Sequence, residues 1–242
     1  MIRAIQQTSM VDYPGNVCTT LFYGGCNFSC PWCHNADLVK RPFTLPEISI
    51  EEAMALLLKR KSWIKAVCLS GGEPTLDKDL LLMLEKLKEN GFKVKLDTNG
   101  SQPQVLGEVL AAGLIDYIAM DIKAPPKKYH ILTGVEVGLK AINESINLIK
   151  NSSISYEFRT TIVPGLLNVS DFIAIGNWLV GAKKYTLQQF RPCETLINPD
   201  LGDIEPYSES VLKDIVDVLE ATLGYRPMVI GNFNMEEKKQ IG

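Results

Sequence analysis

Short apolar runs alternate along the chain with segments in which apolar residues recur at helical spacing. The run Val17–Tyr23 is rich in β-branched and aromatic residues and predicts a first strand, and the amphipathic segment Ile50–Arg60 predicts a first helix. Further strands are predicted at Ala66–Leu69, Lys93–Leu96, Tyr117–Met120, Tyr156–Val163, Tyr185–Phe190 and Met228–Ile230, and further helices at Leu80–Glu89, Gln104–Ala112, Leu139–Lys150, Ser170–Leu179 and Ser208–Leu223.

Strands that alternate with helices predict a parallel sheet with right-handed crossovers. Six or seven such units favour an α/β fold, a partial (β/α)6 TIM-like barrel of parallel strands. We expect one domain over residues 1–242, with the barrel at about 17–231. In such barrels the chemistry lies at the C-terminal ends of the strands. The residues that follow the predicted strands include Gly71–Gly72–Glu73, then Asp97 and Asn99, then Asp121 and Lys123, and finally Gln189 and Arg191.

Charge and hydropathy narrow the classes of partner. The formal net charge is −3, which argues against nucleic-acid binding through bulk electrostatics. No apolar run reaches the roughly 20 residues that span a bilayer, so we expect no membrane segment. The first ten residues lack the apolar core and cleavage site of a signal peptide. We therefore expect a cytoplasmic protein.

Three of the six cysteines form a tight group, Cys26, Cys30 and Cys33, within the segment GCNFSCPWCHN. Without an export signal, disulfides are not expected. Three thiolates at C-x3-C-x2-C spacing suit a soft metal or an iron–sulfur cluster with one iron left open. The alternative is a zinc ion held by these cysteines and His34. Neighbouring residues such as Cys33 and His34 seldom reach one tetrahedral ion without strain, which weakens that alternative.

The cysteine spacing, with Trp32 before the last cysteine, resembles the signature of the radical S-adenosylmethionine (SAM) superfamily. Gly71–Gly72–Glu73–Pro74 is similar to the GGEP motif of that superfamily, which contacts the SAM amino group. The resemblance implies that the three cysteines hold a [4Fe–4S] cluster whose open iron binds SAM, and that an electron from the cluster cleaves SAM to a 5′-deoxyadenosyl radical. A lone GGEP is weak, and its alternative is a turn in which Glu73 is an ordinary surface acid.

Two further segments resemble the activating-enzyme branch of the superfamily. They are Asp97–Thr98–Asn99–Gly100 and Asp121–Ile122–Lys123. The resemblance places Lys123 near the SAM carboxylate. It also implies that a monovalent cation binds to Asp97, Thr98, Asp121 and a carbonyl near Met120. An ion pair of Lys123 with either aspartate is the alternative reading. The cofactor-binding residues implied by these motifs also include Trp32, His34, Asn99, Arg159 and Arg191.

The N-terminal segment Asp12–Tyr13–Pro14–Gly15 resembles the D-G-P-G of glycyl-radical-enzyme activases, and His34–Asn35 completes their C-H-N ending. Within this branch the chain is most similar to activating proteins of anaerobic ribonucleoside-triphosphate reductase. That resemblance implies a glycyl radical enzyme as the protein substrate and a flavodoxin or ferredoxin-type electron donor. Asp12 and His34 are candidate contacts to the partner or to SAM. Arg191 departs from the histidine found in pyruvate formate-lyase activating enzyme.

Two other functions remain open on the sequence. One is a radical SAM enzyme that acts on a small molecule or a modified nucleoside, and the other is a non-catalytic zinc-binding protein. The three remaining cysteines do not form a second cluster motif. Cys18 and Cys68 lie in apolar strands and are predicted to be core residues, and Cys193 is predicted to be a loop or core residue.

Overall fold

The computed structural model describes residues 1–231, in which eight strands form one sheet and eight α-helices pack on it. The strands are β1 (Ile2–Ser9), β2 (Cys18–Tyr23), β3 (Ala66–Gly71), β4 (Lys93–Thr98), β5 (Tyr117–Asp121), β6 (Ser155–Ile162), β7 (Tyr185–Gln189) and β8 (Met228–Ile230). The helices are α1 (Ala36–Lys40), α2 (Ile50–Arg60), α3 (Leu80–Glu89), α4 (Pro103–Ala111), α5 (Tyr129–Thr133), α6 (Leu139–Asn151), α7 (Val169–Trp178) and α8 (Glu209–Leu223). Residues 232–242 of the expected domain lie outside the described part.

The strands follow one another across the sheet in sequence order, and β2 to β8 are all parallel. Within residues 1–231 no pairing joins β1 to β8, so the barrel is open on one side. The predicted α/β partial barrel is therefore confirmed. No helix in this part of the chain is both long and apolar enough to cross a bilayer.

The first strand was not predicted. β1 pairs antiparallel with β2 at the edge of the sheet, with Ile5 opposite Leu21 and Gln6 opposite Thr20. Most of its side chains beyond Arg3 are exposed or half-buried, which explains why its sequence shows no apolar run. Two five-residue helices, α1 and α5, were also missed.

Local capping explains where several helices begin. Ser49 and Glu52 form a reciprocal capping box at the start of α2, and Asn168 and Asp171 do the same for α7. The last helix starts one residue later than predicted, at Glu209, with Ser208 at the N-cap position. The Ser208 side chain makes no capping bond to the helix backbone, and its hydroxyl lies 2.9 Å from that of Ser210.

Alternate residues of the parallel strands face opposite sides of the sheet. Leu21, Leu69, Leu96 and Ile118 are in register across four strands and are fully buried against the helices. On the other face, the lower barrel is closed by a small apolar cluster. Its members are Tyr13, Cys18, Ala66, Cys68, Tyr117 and Ala119. Polar and charged residues follow at the upper, C-terminal ends of the strands.

The segment Asp12–Gly15 lies at the lower end of the barrel, because it leads into the start of β2. The ring centroids of Tyr13 and Tyr117 are 5.9 Å apart, and Asp12 accepts a hydrogen bond of 2.6 Å from Thr20. The cysteine loop begins beyond the opposite end of β2. Asp12 is therefore part of the barrel base, and its place away from the cysteine loop contradicts the expectation of a contact with SAM.

Candidate active site

The cysteine loop follows β2 and is anchored by aromatic side chains. Phe28 and Trp32 are buried in the main hydrophobic core, so Trp32 supports the loop from within. Cys30 is buried, whereas Cys26 and Cys33 are half-buried, and all three are free thiols. The backbone N–H of Cys33 donates to the carbonyl of Cys30 at 3.0 Å. This turn presents the thiols from a fixed backbone.

The loop after β3 is joined to the cysteine loop by its backbone. The N–H of Gly72 donates to the Tyr23 carbonyl, and the N–H of Glu73 donates to the Gly25 carbonyl, both at 2.8 Å. A Cβ at Gly72 would lie 1.9 Å from the Gly25 oxygen. The two loops can approach this closely only because position 72 has no side chain. Asn35 adds a bond of 3.0 Å from its Nδ2 to the carbonyl of Gly71.

The carboxylate of Glu73 is engaged by the protein itself. It accepts hydrogen bonds from the hydroxyl and N–H of Thr75, from Thr98 Oγ1 at 2.8 Å, and from the Asn99 N–H at 2.6 Å. Burial raises the pKa of this carboxyl, and the hydrogen bonds oppose that shift. The carboxylate connects the tips of β3 and β4, and Pro74 is buried beside it at the start of a 3₁₀ turn. Glu73 is buried, so the alternative of an ordinary surface acid is wrong.

Five charged side chains form a continuous chain across the tips of β4, β5 and β6. Lys95 contacts Asp97, and Arg159 bridges Asp97 at 3.5 Å and Asp121 at 2.8 Å. Lys123 then donates to Asp121 at 2.9 Å. Three cations and two anions leave this chain with one net positive charge. The ion pair of Asp121 with Lys123, our alternative reading for Lys123, is therefore present.

Charge pairing outweighs burial in this chain. Burial alone would oppose ionisation of both aspartates, but Arg159 and the lysines hold the pKa of Asp97 and of Asp121 below the usual range. In the same way burial disfavours the charged form of Lys123, but Asp121 and the nearby cysteines raise its pKa. The ion pair with Asp121 therefore favours the charged form of Lys123 beside the cysteine loop.

The geometry does not support a monovalent cation at Asp97, Thr98 and Asp121. The guanidinium of Arg159 contacts both carboxylates, and the hydroxyl of Thr98 donates to Glu73 instead of facing them. The positive charge at this position is therefore supplied by Arg159. These contacts make Arg159 an ion-pair residue of the barrel.

The long loop between β7 and α8 covers the cysteine loop from above. The N–H of Asn198 donates to the Pro31 carbonyl at 2.9 Å, and that of Ile197 donates to the Cys33 carbonyl at 3.3 Å. His34 places Nε2 2.8 Å from the carbonyl of Arg191. The Arg191 side chain is exposed. His34 and Arg191 thus meet through the backbone of Arg191.

The residues around the three thiols fit an iron–sulfur cluster. Burial raises the pKa of Cys26 to about 11 and that of Cys30 to about 12, while Lys123 opposes both shifts by favouring the thiolates. An N–H of Phe28 already donates to the Cys26 sulfur at 3.4 Å. Within residues 1–231 no three His, Cys, Asp or Glu side chains are grouped to hold a single metal ion. A [4Fe–4S] cluster with one open iron takes one thiolate on each of its other three irons, which matches the three cysteines of this loop.

Sequence reasoning missed several residues that build the site. Lys95 is 1% exposed on its side chain and begins the charged chain. The sequence does indicate this pair, because Lys95 and Asp97 are two positions apart in one strand and so lie on the same face of the sheet. Asn27, which bonds to Ser101 in the loop after β4, carried no comparable signal.

The comparison with protein families matches residues 20–179 to the model "Radical SAM superfamily". A protein of Methanocaldococcus jannaschii, assigned by name to the glycyl-radical enzyme activating enzymes, is 36% identical over 203 residues, which are 79% of this chain and 80% of that protein. The pyruvate formate-lyase-activating enzyme of Clostridium pasteurianum is 28% identical over 238 residues, covering 92% of this chain and 98% of the enzyme.

A solved structure of similar fold is Streptococcus suis SuiB bound to S-adenosylmethionine, with a TM-score of 0.68 and 14% identity. The alignment covers 92% of this chain but 56% of SuiB, so this chain spans about half of that protein. The family match covers more than half of the chain and decides against the zinc-binding alternative. The chain therefore belongs to the radical SAM superfamily, whose members use a [4Fe–4S] cluster and S-adenosylmethionine.

Proposed function

We propose that this protein is an activase that generates a glycyl radical on a partner enzyme. The observation that carries the proposal is the similarity to activating enzymes along most of the chain, with 79% and 92% of its length covered by the two relatives above. The charged strand tips and the cysteine loop lie together at one end of the barrel, where a radical SAM reaction needs them.

In this proposal Cys26, Cys30 and Cys33 hold the cluster. When bound, the cluster and SAM supply one-electron cleavage of a sulfonium bond and a carbon radical that abstracts hydrogen. Lys123 holds a positive charge beside the thiols and is the group we assign to the SAM carboxylate. Arg159 fixes Asp121, which in turn fixes the Lys123 ammonium. We assign the backbone of the Gly71–Gly72 turn to the SAM amino group, as the similarity to the superfamily motif implies.

The remaining predicted residues support this arrangement in different ways. Trp32 packs behind the loop, Glu73 and Pro74 join the strand tips, and His34 contacts the covering loop. Asp97 and Asn99 orient groups at the end of β4. Arg191 has an exposed side chain at the covering loop, and we assign it to contacts with the partner or the SAM ribose.

We infer that the partner is an anaerobic ribonucleoside-triphosphate reductase, because the N-terminal and cysteine motifs resemble the activating proteins of that enzyme. A flavodoxin or ferredoxin-type protein would supply the electron. The proposal places the reaction in the cytoplasm, where thiols stay reduced.

The decisive experiment combines the cluster-loaded protein, SAM, a chemical reductant and the candidate reductase under strict anaerobiosis. We expect a doublet EPR signal on the reductase, and no signal when its radical-bearing glycine is replaced by alanine. Reductive SAM cleavage without a glycyl signal on any glycyl radical enzyme tested, together with turnover of a nucleoside or other small substrate, would replace the activase by the alternative function.

A further inference from the structure

Asn99 has a side chain whose orientation is fixed on three sides. It is 5% exposed, and its Oδ1 accepts a hydrogen bond of 2.9 Å from the N–H of Ser101. Its Nδ2 donates to Asn27 Oδ1 at 2.9 Å and lies 3.8 Å from the sulfur of Cys26. Because Ser101 must meet the amide oxygen, the amide NH₂ group has to face Cys26 and Asn27.

The three cysteine sulfurs differ in the hydrogen bonds that they receive. The sulfur of Cys26 receives N–H groups from Phe28 and from Asn99. Among residues 1–231 the sulfurs of Cys30 and Cys33 receive no such hydrogen bond. One corner of the thiol triad is therefore singled out, and one of its two donors is a replaceable side chain.

We propose that Asn99 raises the reduction potential of the cluster by donating an N–H···S hydrogen bond to Cys26. The inference rests on the proposed role of Cys26 as a cluster ligand. Reduction adds negative charge to the cluster and its thiolates, and a donor at sulfur stabilises that charge. Asn99 is thus a positioning and tuning residue, which acts on the cluster through Cys26.

Asn99, at the tip of β4, therefore makes two separate kinds of contact. The backbone N–H of Asn99 holds Glu73 and so joins two strand ends, while its side chain acts on the cysteine loop. A side-chain substitution leaves the backbone bond in place. The electrostatic effect can therefore be measured separately from the structural one.

The test is the cluster midpoint potential, measured without SAM by EPR-monitored redox titration. For Asn99→Leu we expect the ratio of reduced to oxidised cluster at fixed potential to fall about threefold to tenfold, a midpoint about 30–60 mV lower. Asn99→Asp keeps the shape and the acceptor for Ser101 but puts a carboxylate near the thiolate, so its midpoint should be at least as low. It also serves as the measurement if the leucine variant fails to fold.

The matched control is Asn27→Ala, which removes the second partner of the Asn99 amide and leaves its donor to Cys26. Its reduced-to-oxidised ratio should stay within about twofold of the wild-type value. The inference is overturned if both Asn99 variants keep the wild-type midpoint, or if Asn27→Ala shifts it equally. A wild-type protein that assembles no cluster would overturn the proposed function as well. A wild-type protein that cleaves SAM with a midpoint independent of Asn99 would overturn this inference alone.

Discussion

Two groups of cysteines occupy opposite ends of the same barrel. Cys18 and Cys68 lie inside strands at the closed base, and Cys26, Cys30 and Cys33 lie on the loop above β2. Burial raises the pKa of Cys18 and Cys68, as it does for the loop thiols Cys26 and Cys30. What differs is the surroundings. The base thiols pack against tyrosines and alanines within the strands, where Cys68 also receives a hydrogen bond of 3.8 Å from Lys95. The loop thiols lie beyond the end of β2 near Lys123, and Cys26 accepts from the Phe28 N–H and from Asn99. Burial of a thiol therefore does not by itself mark a metal site, and what sets the loop apart is the grouping of three thiols beyond the end of β2.

The largest expected effect separates the two groups directly. Cys30→Ala should reduce the iron content to background and abolish reductive SAM cleavage, because two thiolates cannot hold the cluster. Iron analysis and 5′-deoxyadenosine detection measure both effects. Cys68→Ala is the matched control and should keep the cluster. A Cys30→Ala variant with full cleavage activity would remove the basis of the comparison.

The second-largest expected effect is a loss of stability when the chain of charged side chains at the strand tips is broken. Arg159→Leu should lower the free energy of unfolding by about 3 kcal/mol, since it leaves two buried carboxylates with one lysine each. Urea unfolding of the metal-free protein measures this change. Arg226→Leu is a control of similar chemistry, because Arg226 also contacts two carboxylates, those of Asp217 and Glu220, but on the surface. Equal losses in the two variants would mean that the chain of charges adds nothing to stability.

The third expected effect is on SAM binding. It tests whether Lys123, the last residue of the chain of charged side chains, holds the SAM carboxylate. Lys123→Ala should weaken SAM binding about tenfold, or about 1.4 kcal/mol, while the iron content stays at the wild-type level. Calorimetric titration of the cluster-loaded protein gives the affinity. Lys128→Ala, which removes the ion pair with Asp171, should bind SAM normally. Unchanged affinity in Lys123→Ala would show that the SAM carboxylate is held elsewhere.

The smallest expected effect is the contribution of Cys68, at the barrel base, to the pH dependence of stability. The native state raises the pKa of Cys68 by burial, whereas the thiol of the unfolded chain ionises near pH 8.5. The contribution of the buried Cys68 thiol to the free energy of unfolding is therefore complete below that pH. It is lost as the pH rises towards the pKa of the thiol in the native state. Between about pH 7.5 and about pH 9.5 the wild-type metal-free protein should lose about 1 kcal/mol more unfolding free energy than Cys68→Ala. Parallel pH dependences, measured by urea unfolding, would contradict this.

The elements that could be predicted are those with strong local signals. Helices α2 and α3 begin and end where periodicity predicted them, and β8 does as well. β1 escaped because its pairing with β2 is tertiary and its outward residues are polar. The helices α1 and α5 are too short to be stable alone, so packing and not propensity forms them.

The sequence predicted many of the residues that form the site, but few of the contacts that those residues make. Motifs identified Glu73, Asp121 and Lys123, yet only the fold shows that Glu73 turns inward and that Arg159 bridges the aspartates. The strand-end rule that gathered these residues also excludes Asp12, which precedes β2. The bonds from Ile197 and Asn198 to the cysteine loop depend on how a distant loop folds back.

The covering loop has a consequence for how the protein is made. His34 and Arg191 are 157 positions apart, and Lys40 reaches Ile197 over the same separation. The ribosome must therefore synthesise the chain past Asn198 before the cysteine loop gains these partners. Contacts across so much sequence form late in folding, because a long segment must first be ordered. We expect the cysteine loop to stay accessible in the nascent chain, so that iron and sulfide enter before the loop from β7 is fastened over it.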